Sequence, residues 1–351
     1  MLKIINEVHE WDEYLNRFSN KVFWCIQYYQ LYSHEGFPEA AIYEDHRGII
    51  FYPYLRRRIH FEQTGLERKD ADYFDLTTAY GFGGPLIRCV YSREEEAFFA
   101  DFRCEFELYC KNTHVVSEFI RFQPFVSNSE FIEKYIDVDI KTPSVYVELL
   151  SNLTDEDYLK TYQSTNRNRI KKAKSQGLQI MIDEEKAHLK DFIDIYYHTM
   201  ERNGADAYYY FHEHYFTQLI HHLEDKCLLV HVIYEEKIIC SELILYDESC
   251  MYSFLGGTLA DYYHLSPNNL LTHEIILWAK NKGSHYYLLG GGYKPNDGIY
   301  KFKKKFAPNN SVDFFVGKKI INQPIYDELS TQVLRQNPLI NKDYFPLYRA
   351  K

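Results

Sequence analysis

The segment DGIYKFKKKFAPNN, Asp297–Asn310, carries four lysines within five positions, threaded between aromatic residues. A lysine ammonium fixed at an apolar surface can stabilise charge that develops during a reaction, so the four must be told apart. Asp297 and Gly298 open a predicted helix, and Pro308 limits it. At ~100° per residue, Ile299, Phe302 and Phe306 share one face, and Lys303 falls inside the same arc. Lys301 and Lys304 point away, and Lys305 flanks the apolar face. Burying an ammonium is costly unless it is paired or meets a water-filled cleft. Two readings of Lys303 stay open. It snorkels along apolar neighbours to solvent, or it points into a substrate cleft as a fixed cation. The other three lysines are expected at the surface.

Other residues around this segment could serve the same chemistry. Asp297 and Glu242 are candidates for a base, although an Asp before a helix is more commonly an N-cap. Tyr300 and Tyr293 could position an acceptor. Gly290, Gly291 and Gly292 either let backbone approach a ligand or make a tight turn. A second basic run holds Arg167, Arg169, Lys171, Lys172 and Lys174. It reads as a solvated helix face with cations near the C-terminal dipole, or as a phosphate-binding rail. Arg167 and Arg169 do not share a face, so only part of the run can touch one ligand. The 15 histidines are dispersed and support no Ser-His-Asp triad. His212 and His214 stand two apart, on different helix faces, and read as structural rather than as metal ligands.

The elements that must position these residues follow a repeated plan. In the first half, EWDEYLNRF places Trp11, Leu15 and Phe18 at helical spacing. AAIYEDHRGIIFYPYLRR reads as a hairpin turning at Asp45 to Gly48, with its second strand ending near Tyr54. YFDLTTAYGFGGPLI is a strand entering a Gly-rich turn. The segment from Ser92 to His114 is a helix with Phe98, Phe102, Phe106 and Tyr109 on one face, and VVSEFIRFQPF is the next strand. The second half repeats the order: a hairpin about Glu235-Glu236, the strand CMYSFLGGT, a helix opened by Ser266 and Pro267 and closed by Gly283, then the strand HYYLLGGGY. Between the halves one long helical segment is expected, from a capping box at Thr154 and Asp157 to Gly177. Alternating strands and helices with hairpins predict an α/β class with mixed sheets. The expected domains are 1–143 and 144–322, with a C-terminal extension over 323–351.

Composition bounds the function. The chain has 351 residues, 46% hydrophobic and 26% charged, with net charge −10. That suits two globular domains and opposes non-specific adhesion to nucleic acid over the whole surface, while leaving room for one local basic site. The 33 tyrosines could line a stacking groove but are more often spread through core and surface. Seven scattered cysteines without a CxxC pair predict reduced thiols, not a disulfide framework or a zinc site. The N-terminus lacks the apolar core of a signal peptide, and no apolar run approaches the roughly 20 residues that span a bilayer. A cytoplasmic protein is expected.

The ordered set YFDLTTAYGFGGPL, STNRNRIKKAKSQGL, LSPNNLLTHEIILWAKNKG, YYLLGGGY, DGIYKFKKKFAP and FFVGKKIIN resembles the FemABX-like branch of the GNAT acyltransferase superfamily, over about 70–322. The resemblance implies tandem GNAT-like domains and transfer of an aminoacyl or acyl group to an amine on a cell-envelope or surface-polysaccharide precursor. It implies no permanently bound cofactor, with aminoacyl-tRNA or acyl-CoA as donor substrate, and allows peripheral contact with a lipid-linked acceptor. The lysine of the family's Phe-Lys-x-x-Phe element matches Lys303, between Phe302 and Phe306, and is implied to assist transfer. RNRIKKA, from Arg167 to Ala173, matches a family signature. The Gly-rich pyrophosphate turn of CoA-dependent GNAT enzymes is missing: Asn268 and Asn269 occupy the first turn of the corresponding helix, which could still receive an anionic donor. A scaffold that binds an anionic nucleotide or glycan without chemistry is the alternative.

Overall fold

The two hairpins organise two sheets. The computed structural model describes residues 1–19, 21–61, 71–126, 129–294 and 296–350. The chain divides into two units, Met1–Lys141 with Phe314–Lys351, and Thr142–Asp313. In the first, β1 (Leu2–Ile5), β2 (Phe37–Asp45), β3 (Gly48–Arg58), β4 (Phe74–Thr77), β5 (Leu86–Cys89), β6 (Val115–Arg121) and β7 (Asp137–Ile140) are joined by a late strand, Phe315–Ile320. The sheet runs β1-β2-β3-β4-β6-late strand-β7, with β5 also on β3. The expected hairpin is β2–β3, registered from Asp45↔Gly48, and its second strand continues past Tyr54 to Arg58. The helix Glu95–Asn112 buries Phe98, Phe99, Phe102 and Phe106 on this sheet.

The second unit holds β8 (Ser144–Glu148), β9 (Gln179–Asp183), β10 (Cys227–Tyr234), β11 (Lys237–Tyr246), β12 (Cys250–Thr258), β13 (Tyr286–Gly290) and β14 (Ser311–Val312), in the order β14-β8-β13-β12-β11-β10-β9. Glu235 and Glu236 turn the β10–β11 hairpin with φ of 48° and 64°, the left-handed pair a two-residue hairpin needs. Both units repeat one plan. A hairpin is followed by a strand antiparallel to it, then a helix, then a strand parallel to that strand: β4 with β6 in one unit and β12 with β13 in the other. The class is mixed α/β, as the sequence predicts.

Two expectations are corrected. Residues 314–351 belong to the first unit rather than to a second domain ending at 322 and an extension. The late strand pairs with β6 on one side and β7 on the other, so both its backbone edges are satisfied there. The single long helix between the halves is two, Asp155–Thr161 and Ser164–Ser175. The capping box of Thr154 and Asp157 forms, but the backbone is extended at Tyr162 (ψ 156°). Tyr162 buries its ring against Phe306, 5.2 Å between centroids, and Gln163 N–H donates to the Lys305 carbonyl at 3.0 Å. The break therefore docks the lysine-bearing segment.

At Gly257, near the end of β12, a Cβ would lie 2.5 Å from Thr199 Oγ1 and 2.7 Å from the Ile195 carbonyl oxygen on the helix Leu189–Arg202. Backbone cannot yield cheaply, so Gly257→Ala should destabilise the protein by about 1–3 kcal/mol through overpacking. Urea denaturation with an unchanged m-value would read this as a lower midpoint.

Candidate active site

The site lies where the parallel pair stops pairing. β12 and β13 are in register only over Cys250–Tyr252 and Tyr286–Leu288, although they continue to Thr258 and Gly290. An irregularity sits in each at this level: Phe254 has no register partner on β11, and Leu289 none on β8. Bulges of this kind re-aim side chains and end pairing. β13 then runs into the three glycines.

Those glycines build a cradle. Gly290 has φ 77°, a conformation costly for residues with a Cβ. At Gly292 a Cβ would lie 2.3 Å from Asp297 Oδ1. The Asp297 carboxylate accepts the backbone N–H of Tyr300 at 2.8 Å, of Tyr293 at 2.7 Å and of Lys294 at 3.1 Å. It caps the helix Gly298–Lys303 and ties it to the glycine turn. Burial acts to raise its pKa, but these N–H donors hold it below the usual carboxylate range. An acid so engaged is a cap rather than a base.

Lys303 closes the cradle. Its Nζ donates to the Gly291 carbonyl at 2.7 Å, the side chain is part-buried, and burial lowers its pKa to about 8, against the opposing charges of Glu242 and Asp297. It does not snorkel into bulk water. Glu242, on β11, faces it. Glu242 Oε1 accepts the Tyr287 hydroxyl at 2.9 Å and a short hydrogen bond from Ser253. Burial raises the Glu242 pKa, opposed by those two donors and by the Lys303 charge. The two charges feel each other, while the Lys303 ammonium is bonded to the Gly291 carbonyl. Gly256 stands opposite Glu242 on β12; a Cβ there would come within 3.3 Å of Glu242 Cγ.

The remaining sequence candidates separate. The helix ends at Lys303, not near Pro308, so the apolar face is shorter than expected. Phe306 is buried, Phe302 is part-buried against it with centroids 5.4 Å apart, and Ile299 is 43% exposed. Lys301 is exposed, and Lys304 and Lys305 are part-exposed. Tyr300 packs on the core of this unit, whereas Tyr293 is 62% exposed with its ring edge on Tyr209.

The basic stretch is partly architectural. Arg167 Nη1 donates to the Leu159 carbonyl at 3.3 Å, closing the end of the preceding helix. Asn166, buried on the helix Ser164–Ser175, accepts the Asn269 amide at 2.6 Å. Lys174 pairs with Glu274 at 2.7 Å. Arg169 and Lys172 remain exposed. At the start of the helix Pro267–Asn281, Ser266 occupies the N-cap position in a left-handed conformation, without a side-chain cap bond. Asn268 Oδ1 accepts the Cys240 thiol at 2.8 Å, so both asparagine side chains are engaged inside the protein.

Among the described residues no cluster of His, Cys, Asp or Glu could hold a metal ion, and His212 and His214 do not converge on one. All seven cysteines are free thiols, five of them buried. No described helix is long and apolar enough to cross a membrane. Sequence reading named Glu242 only as one possible base and missed Ser253 and Tyr287. The available signal was a glutamate inside the apolar strand IICSELILY, where a charge needs partners.

A family model for the acetyltransferase (GNAT) domain matches residues 160–304. None of the curated proteins matches this sequence. Among solved structures, FemX is similar with TM-score 0.67 and 12% identity, covering 93% of this chain and 99% of its own. The C-terminal domain of a provisionally named lysylphosphatidylglycerol synthetase from Agrobacterium fabrum is similar with TM-score 0.51 and 11% identity, over 93% of this chain and 96% of its own. A conserved protein of unknown function from Bacteroides thetaiotaomicron has TM-score 0.57 and 9% identity, over 91% and 99%. At these identities the likeness concerns the fold. The matched acetyltransferase (GNAT) domain lies within the second unit and contains Glu242, Ser253, Tyr287, Gly291 and Lys303, so the protein is an acyltransferase that carries a GNAT domain in a chain with the fold of FemX.

Proposed function

We propose that the protein is a FemABX-like transferase. It moves an aminoacyl or acyl group from aminoacyl-tRNA or acyl-CoA to an amine on a cell-envelope or surface-polysaccharide precursor, in the cytoplasm and without a permanently bound cofactor. The GNAT match and the fold shared with FemX support this reading. The observation that carries it is the Lys303 ammonium, desolvated and fixed on the Gly291 carbonyl where β12 and β13 part.

Acyl transfer to an amine needs no covalent enzyme intermediate. The amine attacks the ester or thioester carbonyl, and negative charge grows on its oxygen and on the leaving atom. A fixed cation in a site of low polarity stabilises that charge more than water does and needs no reorganisation. Lys303 is this cation. Gly291 and Gly292 hold it, with Asp297 as the clamp. Phe302 and Tyr300 form the wall behind it, and exposed Tyr293 is the acceptor-side contact. Exposed Arg169 and Lys172 attract an anionic substrate, while Arg167 shapes their helix. The first turn of Pro267–Asn281, with Asn268 and Asn269, is the donor end. The lipid-linked form of the acceptor would meet the protein at the membrane surface.

Mass spectrometry after incubation with charged tRNA or acyl-CoA and amine-bearing precursors tests the reading. Ribonuclease abolishes transfer if the donor is tRNA and leaves it intact if the donor is CoA. Ligand binding without any transfer would favour the non-catalytic scaffold. Lys303→Ala should fold normally and lose about 100- to 1,000-fold in kcat, the size of one removed electrostatic donor.

A pH series adds a sign. Lys303 is charged below about 8 in the folded state, so the rate should fall as pH rises through that value. Between about 8 and 10.5 the unfolded chain holds a proton that the folded chain has lost, so this group's contribution to stability rises with pH in that window. Urea midpoints of wild type against Lys303→Met should show that rise in wild type alone.

A further inference from the structure

Transfer to an amine releases a proton as the C–N bond forms, and a carboxylate within reach of the amine can take it. Resting on the acyltransferase reading above, we propose that Glu242 is that proton acceptor, with Ser253 and Tyr287 as positioning residues that hold one of its oxygens and leave the other for the acceptor amine.

Three features carry the assignment. First, both donors converge on Oε1: the Tyr287 hydroxyl at 2.9 Å and the Ser253 hydroxyl. Oε2 takes no hydrogen bond from a described residue, so its lone pairs are left for an acceptor amine. Second, the site has room for this carboxylate because Gly256 faces it across the ladder, and because the irregularity at Phe254 interrupts β12 one residue after Ser253. Third, Lys303 is close enough to influence Glu242 but is bonded to Gly291 instead of neutralising it. A cation and a carboxylate thus stand near each other, unpaired with one another, where β12 and β13 part.

The step balances. The neutral amine attacks the donor carbonyl carbon, and the C–N bond forms. Glu242 Oε2 takes one N–H proton. The C–O or C–S bond breaks, and its electron pair leaves with the oxygen or sulfur, which receives the proton from Glu242. An acceptor that arrives as an ammonium first yields its extra proton to solvent. Lys303 faces the carbonyl oxygen throughout, and Glu242 ends the cycle ionised.

The experiment measures kcat and KM against pH for wild type, Glu242→Gln and Tyr287→Phe. It uses mixed aminoacyl-tRNAs or acetyl-CoA as donor and a lysine-containing peptide as acceptor, with thermal unfolding as the folding control. Glu242→Gln should lower kcat by about 100-fold or more, as expected for loss of a general base, leave the donor KM within about twofold, and erase the acid limb of the profile. Tyr287→Phe removes a donor that favours the ionised carboxylate, so its acid limb should move to higher pH; a merely structural role for Tyr287 would lower the rate at every pH and leave the limb in place. Should Glu242→Gln not fold, the Tyr287→Phe profile decides. Wild-type activity in Glu242→Gln, or an unmoved limb in Tyr287→Phe, overturns the assignment while the acyltransferase reading stands. No transfer by wild type with either donor overturns both.

Discussion

The hydrogen bond from Lys303 Nζ to the Gly291 carbonyl, 2.7 Å long, is the constraint around which the second unit is arranged. An ammonium brought to a poorly hydrated place needs an acceptor. A carbonyl satisfies it without cancelling its charge, whereas a carboxylate in contact would. The carbonyl is available only because β13 ends in glycines, one left-handed and one with no space for a Cβ beside Asp297. Asp297 holds that turn and the helix start together. The break at Tyr162 lets Gln163 and the Tyr162 ring hold the other end of the segment.

The electrostatics follow from the same geometry. Burial disfavours the charged form of each group, pushing the Lys303 pKa down to about 8 and that of Glu242 up. The pair is therefore poised nearer to neutrality than free side chains are, which is the condition for moving protons at cellular pH. Their separation matters as much as their proximity. A closed ion pair would be inert, and an isolated buried charge would be expelled.

The first unit repeats the strand plan with different side chains at the parallel pair. Its parallel pair also carries buried carboxylates, Asp75 on β4 and Glu118 on β6. Each is occupied by guanidinium groups: Asp75 by Arg57 at 2.6 Å and Arg349 at 2.8 Å, and Glu118 by both terminal nitrogens of Arg103 at 2.9 and 2.8 Å. The Arg103 contact on Glu118 is forked, and on both carboxylates each oxygen is taken by a guanidinium donor. One plan thus yields a structural pair in one unit and an open, unpaired cation and carboxylate in the other.

The sequence by itself determined the local grammar: both hairpins, the Thr154 capping box, the phenylalanine face of Glu95–Asn112, the mixed α/β class, and the one lysine of four that breaks an apolar face. These are legible because turn chemistry and side-chain periodicity act over a few residues. The tertiary structure decided the rest. It showed Asp297 as a clamp, because only the fold brings Tyr293 and Lys294 N–H to its carboxylate. It split the helix at Tyr162, because burying that ring against Phe306 outweighs local helical preference. It gave residues 315–320 to the first sheet, because strand partners are chosen by unpaired edges far away in sequence. And it joined Glu242, Ser253 and Tyr287, which stand on three strands and share no spacing, since cross-strand neighbours are set by register.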